Sequence, residues 1–201
     1  MVPESNQFLE LLRPEYNDAL KYCKALCSKR SLDDAEDVLQ QSLLKAFENF
    51  NSLNDKTRFR SWFFKIITRE FFNAVRKDFW KRFIPLDNAP QIPEMPEIFA
   101  RIENDHNKII LSGALSKISS KERSAILLFE IGGFSMEEIK DIQNEKSISA
   151  IKSRLSRARD KLRKIIKNEE EIFFKKKNNS PIIIGDINNE TIRLITGIRG
   201  K

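Results

Sequence analysis

Lys152, Ser153, Arg154, Ser156 and Arg157 are crowded into less than two turns of a segment whose apolar residues recur three and four apart. Ile148, Ile151, Leu155, Ala158, Leu162 and Ile165 form that series, which is one stripe on an α-helix. The rest of the helix from Ser147 to Lys167 is cationic, with Lys152, Arg154, Arg157, Arg159, Lys161, Arg163, Lys164 and Lys167 set against Asp160 alone. A helix held down on one side and charged on the other suits a DNA groove. Lys152 and Arg157 can donate to guanine edges, and Ser153 and Ser156 can serve any base. Arg154, Arg159 and the later cations suit phosphates.

A second constellation mixes rings with cations. Phe59, Trp62, Phe63, Phe64, Phe71, Phe72, Phe79, Trp80 and Phe83 lie among Arg58, Arg60, Lys65, Arg69, Arg76, Lys77, Lys81 and Arg82. Phe59, Trp62 or Phe63, Ile66 and Ile67 fit a buried face, but the helix holds more ring surface than one stripe can bury. Exposed rings beside cations hold unstacked single-stranded bases, at about 1–3 kcal/mol per stacking contact. An aromatic core under a solvated basic face is the other reading of the same residues.

Catalytic chemistry has little to stand on. The chain has one histidine, His106, and two cysteines, Cys23 and Cys27, spaced i, i+4 in an apolar helical pattern. These read as small core residues, and a zinc site would want four ligands. No Gly-rich phosphate loop is present. Asp33, Asp34, Glu36 and Asp37 lack the spacing of a calcium loop and suit the first turn of a helix. The expectation is a protein that is not an enzyme and uses no cofactor or metal.

The elements that must position these residues can be read from period and punctuation. In 201 residues there are only 6 Gly and 7 Pro, so the chain is helix-rich, and its formal net charge of +7 favours polyanionic partners. Phe8, Leu11, Leu12, Tyr16, Leu20, Cys23, Leu26 and Cys27 repeat as a helix. After a polar break at 31–34, a second helix starts at Asp34 with Ala35, Val38, Leu39, Leu43, Ala46, Phe47 and Phe50 on its apolar side. A polar loop, 51–58, leads to the aromatic helix, 59–82. Pro85, Pro90, Pro93 and Pro96 then break the pattern within an acidic segment. Ser119-x-x-Glu122 and Ser135-x-x-Glu138 are capping boxes that open two further helices, separated by Gly132-Gly133. Gln143 to Lys146 is a turn in which Asn144 or Glu145 stands in for the usual glycine, and Ser147 caps the long basic helix. Short helix, tight turn and long basic helix make a helix-turn-helix.

The expected fold is all-α. Two small helical domains, 7–83 and 107–167, are joined by an acidic proline-containing linker, 84–106. A short irregular or β-prone tail, 168–201, follows, with Pro181–Ile184 and Thr191–Ile195 as candidate strands. No run approaches the ~20 apolar residues of a membrane span, so a cytoplasmic protein without membrane insertion is expected.

DAEDVLQQSLLKAFENF followed by FRSWFFKIITREFFNAVRK resembles region two of the extracytoplasmic-function (ECF) sigma factors, in the sigma-70 family. SKISSKERSAILLFEIGGFSMEEIKDIQ, followed by SAIKSRLSRARDKLR, resembles their region four. The two matches stand in the right order, with a linker between them.

The resemblance implies a subunit that directs bacterial core RNA polymerase to promoters. Asp34, Asp37, Gln40, Gln41 and Leu44 match the surface that docks on the polymerase, with Gln41 where an acid is common. Asn54, Lys56, Arg58, Arg60, Trp62, Lys65, Arg69, Asn73, Arg76 and Lys77 match positions that melt and hold the minus-ten element as single strand. Lys152, Ser153, Arg154, Ser156 and Arg157 match the helix that reads the minus-thirty-five element as duplex. The family also implies an anti-sigma factor as a further partner. The alternative is a stand-alone helix-turn-helix regulator, which would need neither the acidic second helix nor the aromatic third.

Overall fold

A computed structural model describes residues 2–81 and 106–176. The described residues form seven α-helices and no strand. The N-terminal unit comprises α1 (Val2–Leu26), α2 (Leu32–Glu48) and α3 (Phe59–Lys81), with two short 3-10 turns, Phe50–Ser52 and Lys56–Arg58, between the last two. The C-terminal unit comprises α4 (His106–Lys117), α5 (Ser120–Glu130), α6 (Met136–Ile142) and α7 (Ile148–Lys176).

Local chemistry places most helix starts. Ser119 and Glu122 cap α5 reciprocally, and Ser135 and Glu138 do the same for α6. A third box, Ser31 with Asp34, opens α2 at Leu32, two residues before the start expected at Asp34. The acid that looked like the first helical residue is the box's reciprocal acceptor. Burial pushes the Asp34 carboxyl up, but hydrogen bonds from Arg30 and Ser31 outweigh it and hold the group below its ordinary range. Asn144 takes the glycine-like position in the helix-turn-helix turn, with φ of 52°.

The N-terminal core is built on rings. Phe8 meets Phe47, Phe50 and Phe59 edge-on at 5.5, 5.4 and 5.7 Å. Phe59, Phe63, Phe64, Ile67 and Phe71 of α3 are all buried. In the C-terminal unit, Ile118, Leu128, Ile139, Ile151, Leu155 and Leu162 form the centre.

Three expectations change. Tyr16, placed on the buried stripe of α1, is 40% exposed, whereas Tyr22 is fully buried. The reason is that α1 packs against α5 as well as α2 and α3, which widens and rotates its buried face. Of the rings of α3 expected to be spare, Phe64 and Phe71 are core, whereas Phe79 is 55% exposed; α6 covers a second side of that helix, and Phe134 packs on Phe64 at 5.1 Å. The basic helix does not end near 167 but runs to Lys176, through the acidic run Glu169–Glu171. The candidate strands and most of the acidic linker lie outside the described residues.

The two units are therefore not separate beads. Their buried side chains form one continuous apolar cluster.

Candidate nucleic-acid interface

One face of α3 gathers most of the residues expected to hold single-stranded DNA. Trp62, Lys65, Arg69, Asn73, Arg76 and Lys77 recur three and four apart, and the four cations among them are exposed. Trp62 and Arg69 also line a cleft of about 380 Å³ between the end of α2 and α3, with Lys45, Glu48, Asn49, Ser52, Ile66 and Glu70. Glu70 pairs with Lys45 at 2.9 Å and accepts from Asn73 Nδ2 at 3.3 Å, and Arg76 donates to Asn73 Oδ1 at 2.9 Å. The cleft thus offers a ring wall, an apolar floor at Ile66, and donors and acceptors fixed by one another. Sequence reading found Trp62 and Arg69 but missed Lys45, Asn49 and Ser52 at the end of α2 and in its turn, and Glu70 on α3 itself.

The loop before α3 is braced from within. Asp55 accepts from the Thr57 backbone N–H at 3.0 Å and from its hydroxyl at 2.6 Å, which holds the Asp55 carboxyl below its ordinary range. Lys56 lies over the Phe50 ring, 3.6 Å from its centroid, and donates to the Phe50 carbonyl. Asn54 and Arg58 remain open to solvent beside it. Arg60 goes elsewhere. It pairs with Glu15 and Asp18, donates to the Gly132 carbonyl at 3.0 Å, and lies over Phe64 and Phe134. The structure does not bring it to the outer face of α3.

On α7, Lys152, Ser153, Ser156 and Arg157 are exposed together while Ile151, Leu155 and Ala158 are buried behind them. Arg154 is set apart from the four, with its side chain only 11% exposed. Its guanidinium donates to Gln143 Oε1 and, at 2.6 Å, to Glu145 Oε1. Glu145 also receives Lys121 at 3.3 Å, and the Arg154 hydrogen bond first of all keeps its carboxyl low. The later cations divide. Arg159 pairs with Glu130 and lies over Phe129, and Lys161 pairs with Glu122, so both tie α7 to α5. Lys164 and Lys167 are exposed.

The Sigma-70 region 2 family model matches residues 11–81. The chain is 29% identical over 138 residues to the RNA polymerase sigma factor SigV of Bacillus subtilis, covering 68% of this chain and 78% of that one. It is 29% identical over 143 residues to the ECF RNA polymerase sigma factor EcfG of Rhodopseudomonas palustris, covering 69% and 74%. Among solved structures it is similar to the sigma factor RpoE in complex with the anti-sigma factor NepR from Bartonella quintana. That match has a TM-score of 0.63 at 28% identity and covers 83% of this chain and 98% of that one.

The chain is similar to ECF sigma factors along most of its length, and residues 11–81 match the sigma-70 region 2 family.

The acidic helix α2 carries a third surface. Asp37, Gln40, Gln41 and Leu44 are exposed at helical spacing along one stripe. Phe47 continues it, half exposed, as is Leu44, although the apolar pattern assigned Phe47 to the core. Asp34 is not free on that stripe, because it caps α2 and pairs with Arg30 at 2.8 Å.

Proposed function

We propose that this chain binds bacterial core RNA polymerase and directs promoter-specific initiation. In this reading α7 reads the minus-thirty-five element as duplex through Lys152, Ser153, Ser156 and Arg157, with Arg154 holding the turn that presents them. The outer face of α3, with Asn54 and Arg58 of the preceding loop, tracks the opened minus-ten strand. The adjoining cleft takes an unstacked base against Trp62. The stripe Asp37–Gln40–Gln41–Leu44 of α2 docks on the polymerase. The observation that supports this most is the presence of two exposed cationic surfaces of different chemistry on one chain. One is the outer face of α3, where Lys65, Arg69, Arg76 and Lys77 are exposed beside Trp62, suited to single strands, and the other a buttressed helix suited to a groove. A stand-alone duplex-binding regulator has no use for the first.

The chain makes and breaks no covalent bond; polymerase performs the chemistry, in the cytoplasm. An anti-sigma factor is a further partner. The test is in vitro transcription. Purified protein added to bacterial core polymerase should start transcripts at a defined promoter recovered by selection. Binding to duplex DNA without initiation by core polymerase would reject the proposal in favour of a simple regulator.

A further inference from the structure

The exposed face of α7 has a carboxylate at its centre. Taking about 100° per residue from Lys152, the residues Lys152, Ser153, Ser156 and Arg157 spread around a mean of about 70°, and Asp160 stands at about 80°. It lies one turn beyond Ser156 and Arg157, on the side of the helix opposite the buried Ile151, Leu155, Ala158 and Leu162. Arg163 and Lys164, both exposed, flank it on the next turn. Between Lys152 and Lys167 it is the only acid.

The fold does not account for it. Three carboxylates meet the cations of α7 from neighbouring segments: Glu145 takes Arg154, Glu130 takes Arg159 and Glu122 takes Lys161. Each is largely buried and ties α7 to α5 or to the turn before it. Among the described residues the partner of Asp160 is Arg163 of the same helix, which donates to Oδ1 at 3.4 Å, with the two side chains 60% and 64% exposed. A pair this open contributes little in water. Oδ2 takes no hydrogen bond from the described residues.

An anion on a DNA-facing surface works against binding. Phosphates line both walls of a groove, and a carboxylate between them raises the energy of every complex, whatever the sequence. That charge is offset only where the groove presents a donor to it. The major-groove edges of the bases differ sharply here. Guanine offers N7 and O6, both acceptors, and thymine offers O4 and a methyl group. Adenine offers its N6 amine beside the acceptor N7. Cytosine alone presents a donor, the N4 amine, with no acceptor on the same edge. An ionised carboxylate accepts and cannot donate, so three of the four edges oppose it and the fourth matches it. Position agrees with this. At 1.5 Å of rise per residue, Asp160 lies about 5 Å beyond Ser156 and Arg157, or roughly one to two base steps of 3.4 Å. Lys152, Arg157, Arg163 and Lys164 occupy the edges of the face, toward the phosphate walls, and leave the carboxylate over the base edges.

We propose that Asp160 is a specificity-determining residue of α7. It accepts a hydrogen bond from the N4 amine of a cytosine next to the bases read by Ser156 and Arg157, and it excludes other bases there by repulsion. The inference rests on the duplex-reading role of α7 given above.

The test uses the full chain bound to core polymerase, and promoter duplexes in which each base pair of the minus-thirty-five element is varied in turn. The wild type should prefer cytosine at one position by about tenfold, the scale of one directed base contact. Asp160→Ala should erase that preference, leave those at the other positions, and bind a duplex lacking the element about twofold more tightly, because a repelling charge is gone. Asp160→Asn keeps the shape and gains a donor, so it should admit adenine beside cytosine at the same position. If Asp160→Ala keeps every base preference and changes its affinity for all duplexes alike, Asp160 is a solvated charge and the inference is overturned. Loss of a preference for any base other than cytosine overturns it too. Should Asp160→Ala lose its helical dichroism, Asp160→Asn decides: adenine admitted at one position supports the contact, and an unchanged pattern rejects it. A wild type with no base preference anywhere in the element rejects the duplex-reading role of α7 itself, and the cytosine contact falls with it.

Discussion

Replacing Arg154 with alanine separates two roles that one cation on a recognition helix can play. In the structure its guanidinium clips the start of α7 to Gln143 and Glu145, on either side of Asn144, which holds a left-handed conformation. Hydrogen bonds to charged groups are worth about 1.5–3 kcal/mol each. Glu145 keeps Lys121 after the change, so one of the two losses is partly offset and the total is about 2–3 kcal/mol. For a chain of this size each kcal/mol moves the midpoint by about 2–4 °C, so Tm should fall by about 4–12 °C. The assay pairs thermal unfolding with binding to a minus-thirty-five duplex over a range of salt. A turn clamp lowers Tm and weakens binding with no change in the slope of log affinity against log salt. A phosphate contact leaves Tm alone and reduces that slope by about 1. An unchanged Tm with a shallower slope would refute the clamp.

Other perturbations address the remaining surfaces. Arg157→Ala should weaken promoter binding by about 1–3 kcal/mol and relax one base position, measured by affinity across single-base variants; equal weakening on every variant would mean a phosphate contact instead. Trp62→Ala should impair strand opening more than closed-complex binding, and normal permanganate reactivity at the minus-ten element would contradict this. Asp34 is held ionised by Arg30 and Ser31, so its contribution is present above the ordinary carboxylate pKa and disappears as pH falls through its lowered value. Asp34→Asn should therefore destabilise the fold at pH 7, with the difference shrinking as pH falls below the ordinary carboxylate range; urea unfolding across that range checks this, and a constant difference would rule it out.

What was legible in the chain lies within about four residues of itself. The boxes Ser119/Glu122 and Ser135/Glu138, the turn at Asn144, and the split of α7 into a buried stripe and the exposed set Lys152, Ser153, Ser156 and Arg157 all follow from short-range rules. The face of α3 from Trp62 to Lys77 follows from helical period alone. Sequence did not reveal how individual cations are spent. Arg60, Arg154, Arg159 and Lys161 look alike in a string of basic residues, and only their neighbours in space commit them to Gly132, Gln143, Glu130 and Glu122. The cleft beside Trp62 escaped notice because its walls come from two helices.

Residue type and spacing sufficed for most of the helices and for the exposed face of α7, while the family was legible only as the resemblance of whole segments. The closure of one unit on the other was settled only by tertiary structure. Tyr22 and Ser124 are 102 positions apart, and Arg123 reaches a carbonyl 97 positions away. No local period or cap records such a pairing, because its free energy comes from burying surfaces that the sequence presents separately.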